Sequence, residues 1–218
     1  PKRVLTFLQD LLAHCKPYAE QDYSELCEFA KNQFNVDKLE PWDIAYYSEK
    51  LPEHDYNLSH EPLRDYFPLP TVLNGLFHIT HQLYGIHIRA VDGLETWHPD
   101  VLCYKLYDSY DQLRGICYLD LYTRPGKRSG AWMDSYCQRF RLADGSIQAP
   151  VAFIVCNFPN PTEEQPALLT HDDVLTLFHE FGHGLHHVLT MVDYSDVSGI
   201  AGVPWDAVEL PSQFFEHW

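Results

Sequence analysis

The chain has 218 residues, of which 45% are hydrophobic and 14% aromatic; that is enough apolar material for one sizeable core or two modest ones, and it excludes wholesale disorder. Fifteen Lys and Arg against 31 Asp and Glu give a formal net charge of −16, a field that repels nucleic acid and anionic membrane and argues against both as partners. No apolar run approaches a membrane span and no signal peptide is expected, and six scattered cysteines without a CxxC pair read as the reduced thiols of a cytoplasmic protein.

The first half reads as helices joined by proline-bearing turns. Val4–Cys15 and Tyr18–Phe34 carry apolar residues at three- and four-residue spacing, and Trp42–Leu51 follows Pro41 at a first helical position. Residues 51–70, with their prolines and histidines, read as loop with a short helix, and Val72–Tyr84 as a helix closed by Gly85. The character then changes. Val101–Tyr107 and Ile116–Tyr122 are rich in aromatic and β-branched residues, and the connector DSYDQLRG predicts a hairpin. Cys103 and Cys117 can meet across it, although a disulfide there is not the expectation. RPGKRSGAW reads as a solvated basic turn in preference to a contact for a substrate carboxylate. Pro150 introduces VAFIVCNF, apolar enough for an interior strand.

Thr170 opens the helix that carries the chemistry. Its hydroxyl can cap the N-terminus, Asp173 three residues on resembles the acidic partner of a capping box, and Asp172 and Asp173 suit the positive end of the helix dipole. At ~100° per residue, Val174, Leu177, Phe178, Phe181, Leu185 and Val188 share one face, and His179 and His183 fall on the other, ~40° apart.

The run LFHEFGHGLHH contains HEFGH, an HExxH pattern. Imidazoles at i and i+4 can converge on one cation, while the intervening Glu180 is placed as a base toward a water on that cation. A histidine-rich helix is the bland alternative. Tetrahedral catalytic zinc needs three protein ligands and an open position. The pattern HExxHxxGxxH would need glycine at 186 and histidine at 189, where the chain has His186 and Leu189. A carboxylate from a following helix is the other route, and Glu209 in WDAVELPSQFFEHW is the best-placed candidate. Asp206 and Glu216, one turn before and two turns after it, can hydrogen-bond the outer nitrogens of the two histidines or be solvated helix charges. Gly182 and Gly184 are costly in a helix interior and point to a close approach by another backbone or by substrate; the SGIAG loop at 198–202 has the same property.

HEFGHGLHH followed by SGIAGVPWDAVELPSQ resembles the thimet oligopeptidase family of zinc peptidases. ETWHPDVLCYKLYD and GICYLDLYTRPGKRSGAWM also resemble the strand-rich region that precedes the metal helix in that family. The likeness runs from about Glu40 to Trp218. It implies His179, His183 and Glu209 as ligands of one Zn2+ per chain and Glu180 as general base, with a supporting role for His186 and a place for His98 near the substrate. Thermolysin-like and aminopeptidase-like spacings would put the glutamate at Val203 or Gly202, which cannot ligate through a side chain.

The expected fold is mainly α, zincin-like, with a small β-sheet beside the metal helix: a helical region 1–95 and a zinc-binding catalytic region 96–218, both parts of one larger peptidase domain. The chain opens on Pro1 and stops at Trp218 within the helix-like run PSQFFEHW. That leads to the expectation of a fragment, with the oxyanion-stabilising residues beyond Trp218 and the rest of the parent polypeptide needed to complete the site. The expected function is zinc-dependent endoproteolysis of short oligopeptides. A zinc carboxypeptidase with the same HExxH…E set, or a non-catalytic zinc- or peptide-binding module, is the alternative. Mn or Co can replace Zn at such N/O ligands.

Overall fold

A computed structural model describes residues 1–56 and 63–218, so part of the segment expected to be loop, residues 57–62, lies outside the described residues. The chain divides into two units, Pro1–His60 and Glu61–Trp218.

In the first unit, helix α1 spans Lys2–Phe34 and α2 spans Ile44–Tyr56. The two helices expected on either side of Pro17 are one helix. A proline inside a helix removes one N–H and costs about 3 kcal/mol, yet the apolar periodicity is unbroken on both sides of it. Asn35 then stops α1 in a left-handed conformation, φ 57°. Leu26, Ala30 and Leu39 form a small core with Cys27, Val36, Tyr47 and Leu51 packed on it.

The second unit begins with α3, Leu69–Tyr84, closed as expected by Gly85 at φ 67°, whose N–H donates to the His81 carbonyl. Seven strands follow: β1 His87–Ala90, β2 Leu102–Tyr107, β3 Leu113–Tyr122, β4 Trp132–Cys137, β5 Phe140–Arg141, β6 Ile147–Gln148 and β7 Val151–Phe158. Five of them form a mixed sheet in the order β1-β2-β3-β7-β4, in which only β3 and β7 run parallel. β5 and β6 pair separately. The expected hairpin is β2–β3, with Asp108 Oδ1 accepting the backbone N–H groups of Tyr110 and Gln112 in its turn. Its register sets Cys103 opposite Tyr118 and Cys117 opposite Tyr104. That one-residue offset sends the two thiols to opposite faces of the sheet, and all six cysteines are free. VAFIVCNF is the interior strand β7. β4 went unforeseen because its burial alternates and Asp134 and Ser135 interrupt its apolar character, a pattern suited to a sheet edge.

The basic loop RPGKRSGAW is solvated, as expected, at Pro125, Gly126 and residues 128–130, but two of its cations turn inward. Arg124 and Lys127 close on the buried Asp120 of β3, with Lys127 Nζ only 2.9 Å from its Oδ1. Trp97 Nε1–H adds a third donor at 2.9 Å.

The metal-helix candidate is α4, His171–Val188, and α5, Leu210–Phe215, packs on it. Leu177, Phe178, Phe181, Leu185 and Val188 of α4 bury against Leu119, Ala152, Ile154 and Cys156 of the sheet. Each such side chain contributes about 1.5–3 kcal/mol. Among the described residues no helix is long and apolar enough to cross a membrane. The whole is mainly α with a small mixed sheet, as expected.

Candidate metal and active site

Local chemistry starts α4 where the sequence says it should. Thr170 Oγ1 accepts the Asp173 N–H at 3.1 Å and Asp173 Oδ2 accepts the Thr170 N–H at 2.9 Å, a complete capping box. At the other end, Arg114 donates to the Thr190 carbonyl at 2.9 Å, where the helix dipole favours a cation.

The sheet lies against one side of α4 and α5 against another, so the helix is buried further round than a single apolar stripe implies. His183 and Glu180 are each 8% exposed and His187 is fully buried. His187 is a core histidine: its Nε2–H donates to the Cys137 carbonyl at 3.0 Å, and a Cβ on Gly199 would stand 2.6 Å from its Nδ1. Here the close approach expected of the SGIAG loop is to protein. The same holds for the helix glycines. A Cβ on Gly184 would meet Ile154 Cδ1 at 2.8 Å, and one on Gly182 would meet Ser212 Cα at 2.8 Å.

The contact at Gly182 brings α5 onto the histidine side of α4. Glu209, at the residue preceding α5, places Oε2 3.2 Å from His179 Nε2 and 3.0 Å from His183 Nε2. The candidate ligand atoms of these three residues all lie within 4.8 Å of one another. Donors bound at ~2.0–2.1 Å around a tetrahedral ion stand about 3.3 Å apart, so these two separations are compatible with a shared cation. Two imidazoles and one carboxylate are also a donor set suited to zinc, and they leave a fourth position open.

The remaining candidates divide. Glu216 Oε1 lies 2.5 Å from His179 Nδ1, at the outer nitrogen of that imidazole. Asp206 is not its counterpart. The helix expected through it begins only at Leu210, and Asp206 sits in the preceding turn, exposed and without a hydrogen bond among the described residues. The Nδ1 atoms of His183 and His186 are buried without partners among the described residues. His186 lies one turn beyond His183 and lines a cavity of about 450 Å³ with Tyr84, Leu189, Val192 and Pro211. His98 lies between β1 and β2, where its polar contacts are local, to Asp100 and Thr96; it borders a separate cavity of about 570 Å³ with Tyr122, Arg124 and Asn160.

Burial controls the electrostatics of the helix. It raises the pKa of Glu180, which the charge of His179 partly offsets and that of Glu209 reinforces. Burial lowers the pKa of His183, with Glu209 opposing. A neutral imidazole is the form that ligates a metal.

Gly182→Ala tests the close approach. The new Cβ would press on backbone, which cannot rotate away, and the expected result is displacement of α5 with a stability loss of about 1–3 kcal/mol. Glu209 would move with it, so a crystal structure of the variant would show longer separations from Glu209 to His179 and His183. Unchanged separations would mean that Glu209 reaches the histidines without this contact.

The model of Peptidase family M3 matches residues 1–218. The chain is 55% identical over 218 residues to oligopeptidase A of Escherichia coli (strain K12), covering all of this chain and 32% of that protein. It is 52% identical over 218 residues to oligopeptidase A of Haemophilus influenzae, with the same shares. It is 35% identical over 219 residues to dipeptidyl carboxypeptidase of Escherichia coli, covering all of this chain and 32% of that protein. The chain thus spans about a third of the length of the relatives it matches.

Proposed function

The chain belongs to peptidase family M3, and from that premise we propose that His179, His183 and Glu209 hold one zinc ion and that Glu180 is the general base in hydrolysis of short oligopeptides. The observation that carries the reading is the convergence of both Nε2 atoms on Glu209 Oε2 at 3.2 and 3.0 Å. A structural zinc site is usually closed by four protein ligands. Here three donors gather among the described residues, which favours chemistry over a non-catalytic module.

When bound, zinc supplies a Lewis acid that polarises a peptide carbonyl and lowers the pKa of a coordinated water to about 7. The chain's own residues do the rest. Glu216 accepts the Nδ1–H of His179, which fixes the tautomer and aims the Nε2 lone pair at the ligand cluster. Glu180, its proton affinity raised by burial, takes a proton from the attacking water and delivers it to the departing amine nitrogen. β4 is an outer strand of the sheet and packs near α4, so its free edge can pair with the main chain of an extended peptide. Such pairing makes little demand on substrate sequence.

The endopeptidase reading rests on the 55% identity to oligopeptidase A. The 35% identity to a dipeptidyl carboxypeptidase supports a second reading, removal of residues from the C-terminus. A peptide with an amidated C-terminus separates them: an endopeptidase still cleaves it internally, a carboxypeptidase does not.

The coverage of a third of each relative fits a segment of a longer polypeptide, with further donors to the reacting carbonyl supplied from outside these 218 residues. Missing donors of that kind cost ~10²–10³ in rate. The isolated 218 residues are therefore expected to turn over a quenched peptide at least that much more slowly than the native full-length protein. Equal rates would place the complete active site within this segment. Zinc content and peptidase activity of the full-length protein, before and after chelation, test the main proposal; full activity without metal would overturn it.

A further inference from the structure

Ser212 is fully buried in α5, with its hydroxyl 2.9 Å from the Glu209 carbonyl and 3.0 Å from Glu209 Oε2. The ordinary reading of such a serine is a bond back to a carbonyl of its own helix. The hydroxyl has one proton for two oxygens, and the bond to the carboxylate is the charge-assisted one. Oε2 is also the oxygen that faces both imidazoles. The Glu209 side chain is 46% exposed, and among the described residues Ser212 is the polar side chain on its carboxylate apart from the imidazoles.

Resting on the zinc reading above, we propose that Ser212 is a positioning residue that donates to Glu209 Oε2 and fixes the rotamer in which Glu209 joins His179 and His183. Its own position is fixed from two sides. Gly182 lets the Ser212 backbone approach α4 to a distance that a Cβ would close to 2.8 Å, and Phe215 anchors the same helix among Phe178 and Phe181. Residues 209, 212 and 216 stand at i, i+3 and i+7, which share a helix face. One short element therefore delivers the carboxylate, the hydroxyl that orients it and the partner of His179 Nδ1.

Loss of an orienting group of this kind lowers metal affinity about 10–100-fold. The experiment measures zinc affinity of the full-length protein by competition with a chromophoric chelator, for wild type, Ser212→Ala, Glu209→Ala and the double variant, with thermal unfolding of each metal-free protein. The expected result is a 10–100-fold loss for Ser212→Ala at an unchanged metal-free melting temperature, and less than about a two-fold further loss when Ser212→Ala is added to Glu209→Ala. Wild-type affinity in Ser212→Ala, or an equal loss with and without Glu209, overturns the positioning role. Wild-type affinity in Glu209→Ala overturns the ligand assignment itself, so the two failures are distinguishable.

Discussion

Replacing Glu180 with glutamine is expected to lower kcat/KM by at least ~10²–10⁴, the range supplied by a general base, while zinc content stays at the wild-type level. Glu180 lies between His179 and His183 in sequence, but the three candidate donors that gather come from His179, His183 and Glu209. Glutamine keeps the volume and an oxygen at the buried position and removes only the ability to accept and return a proton. A general base acts only when deprotonated, so the acid limb of the wild-type kcat/KM profile should vanish from the residual activity of Glu180→Gln. Loss of zinc with the substitution would make Glu180 a ligand; persistence of activity would place the base elsewhere.

Asp120→Asn is expected to destabilise the sheet unit by about 3–5 kcal/mol, because it removes one partner from a buried charge cluster and leaves the others uncompensated. The Asp120 side chain is 7% exposed, Lys127 5% and Arg124 24%. Burial alone would raise the Asp120 pKa, but hydrogen bonds from Arg124, Lys127 and Trp97 outweigh it and hold the carboxyl well below the usual range. The sign follows from linkage. A depressed folded-state pKa contributes stability that is present above the unfolded value of ~3.9 and is lost as pH falls from there through the folded value. Denaturant midpoints of wild type and variant should therefore differ most at neutral pH and converge below about pH 4. A midpoint difference independent of pH would show that shape, and not charge, is what Asp120 contributes.

The helix of the candidate site was legible because its signals are local. A capping box spans four residues and a histidine pair at i and i+4 spans five, so Thr170, Asp173, His179 and His183 announce themselves within one stretch. The interior strand β7 was legible for the same reason, as an uninterrupted apolar run. Elements whose character depends on distant neighbours were not. Lys127 reads as a surface charge until β3 brings Asp120 beneath it. Cys103 and Cys117 read as possible partners until the register sends them to opposite faces. A serine in LPSQ carries no signal of its own, so Ser212 became visible only when α5 was seen against Gly182. Asp206 and Glu216 looked alike as acidic neighbours of Glu209, and the late start of α5 at Leu210 separates them.

By itself the sequence determined the donor types, their spacing on α4 and the acidic character that argues against polyanionic partners. Short-range backbone geometry fixes such features whatever the rest of the chain does. The tertiary structure decided which carboxylates reach the imidazoles, because Glu209 and Glu216 are about thirty or more residues from His179 in sequence and meet it only through packing of α5 on α4. That packing depends on the absence of a single Cβ at Gly182. Close contact between two backbones is a property of three-dimensional volume, and a glycine in a linear sequence does not say which backbone it will admit.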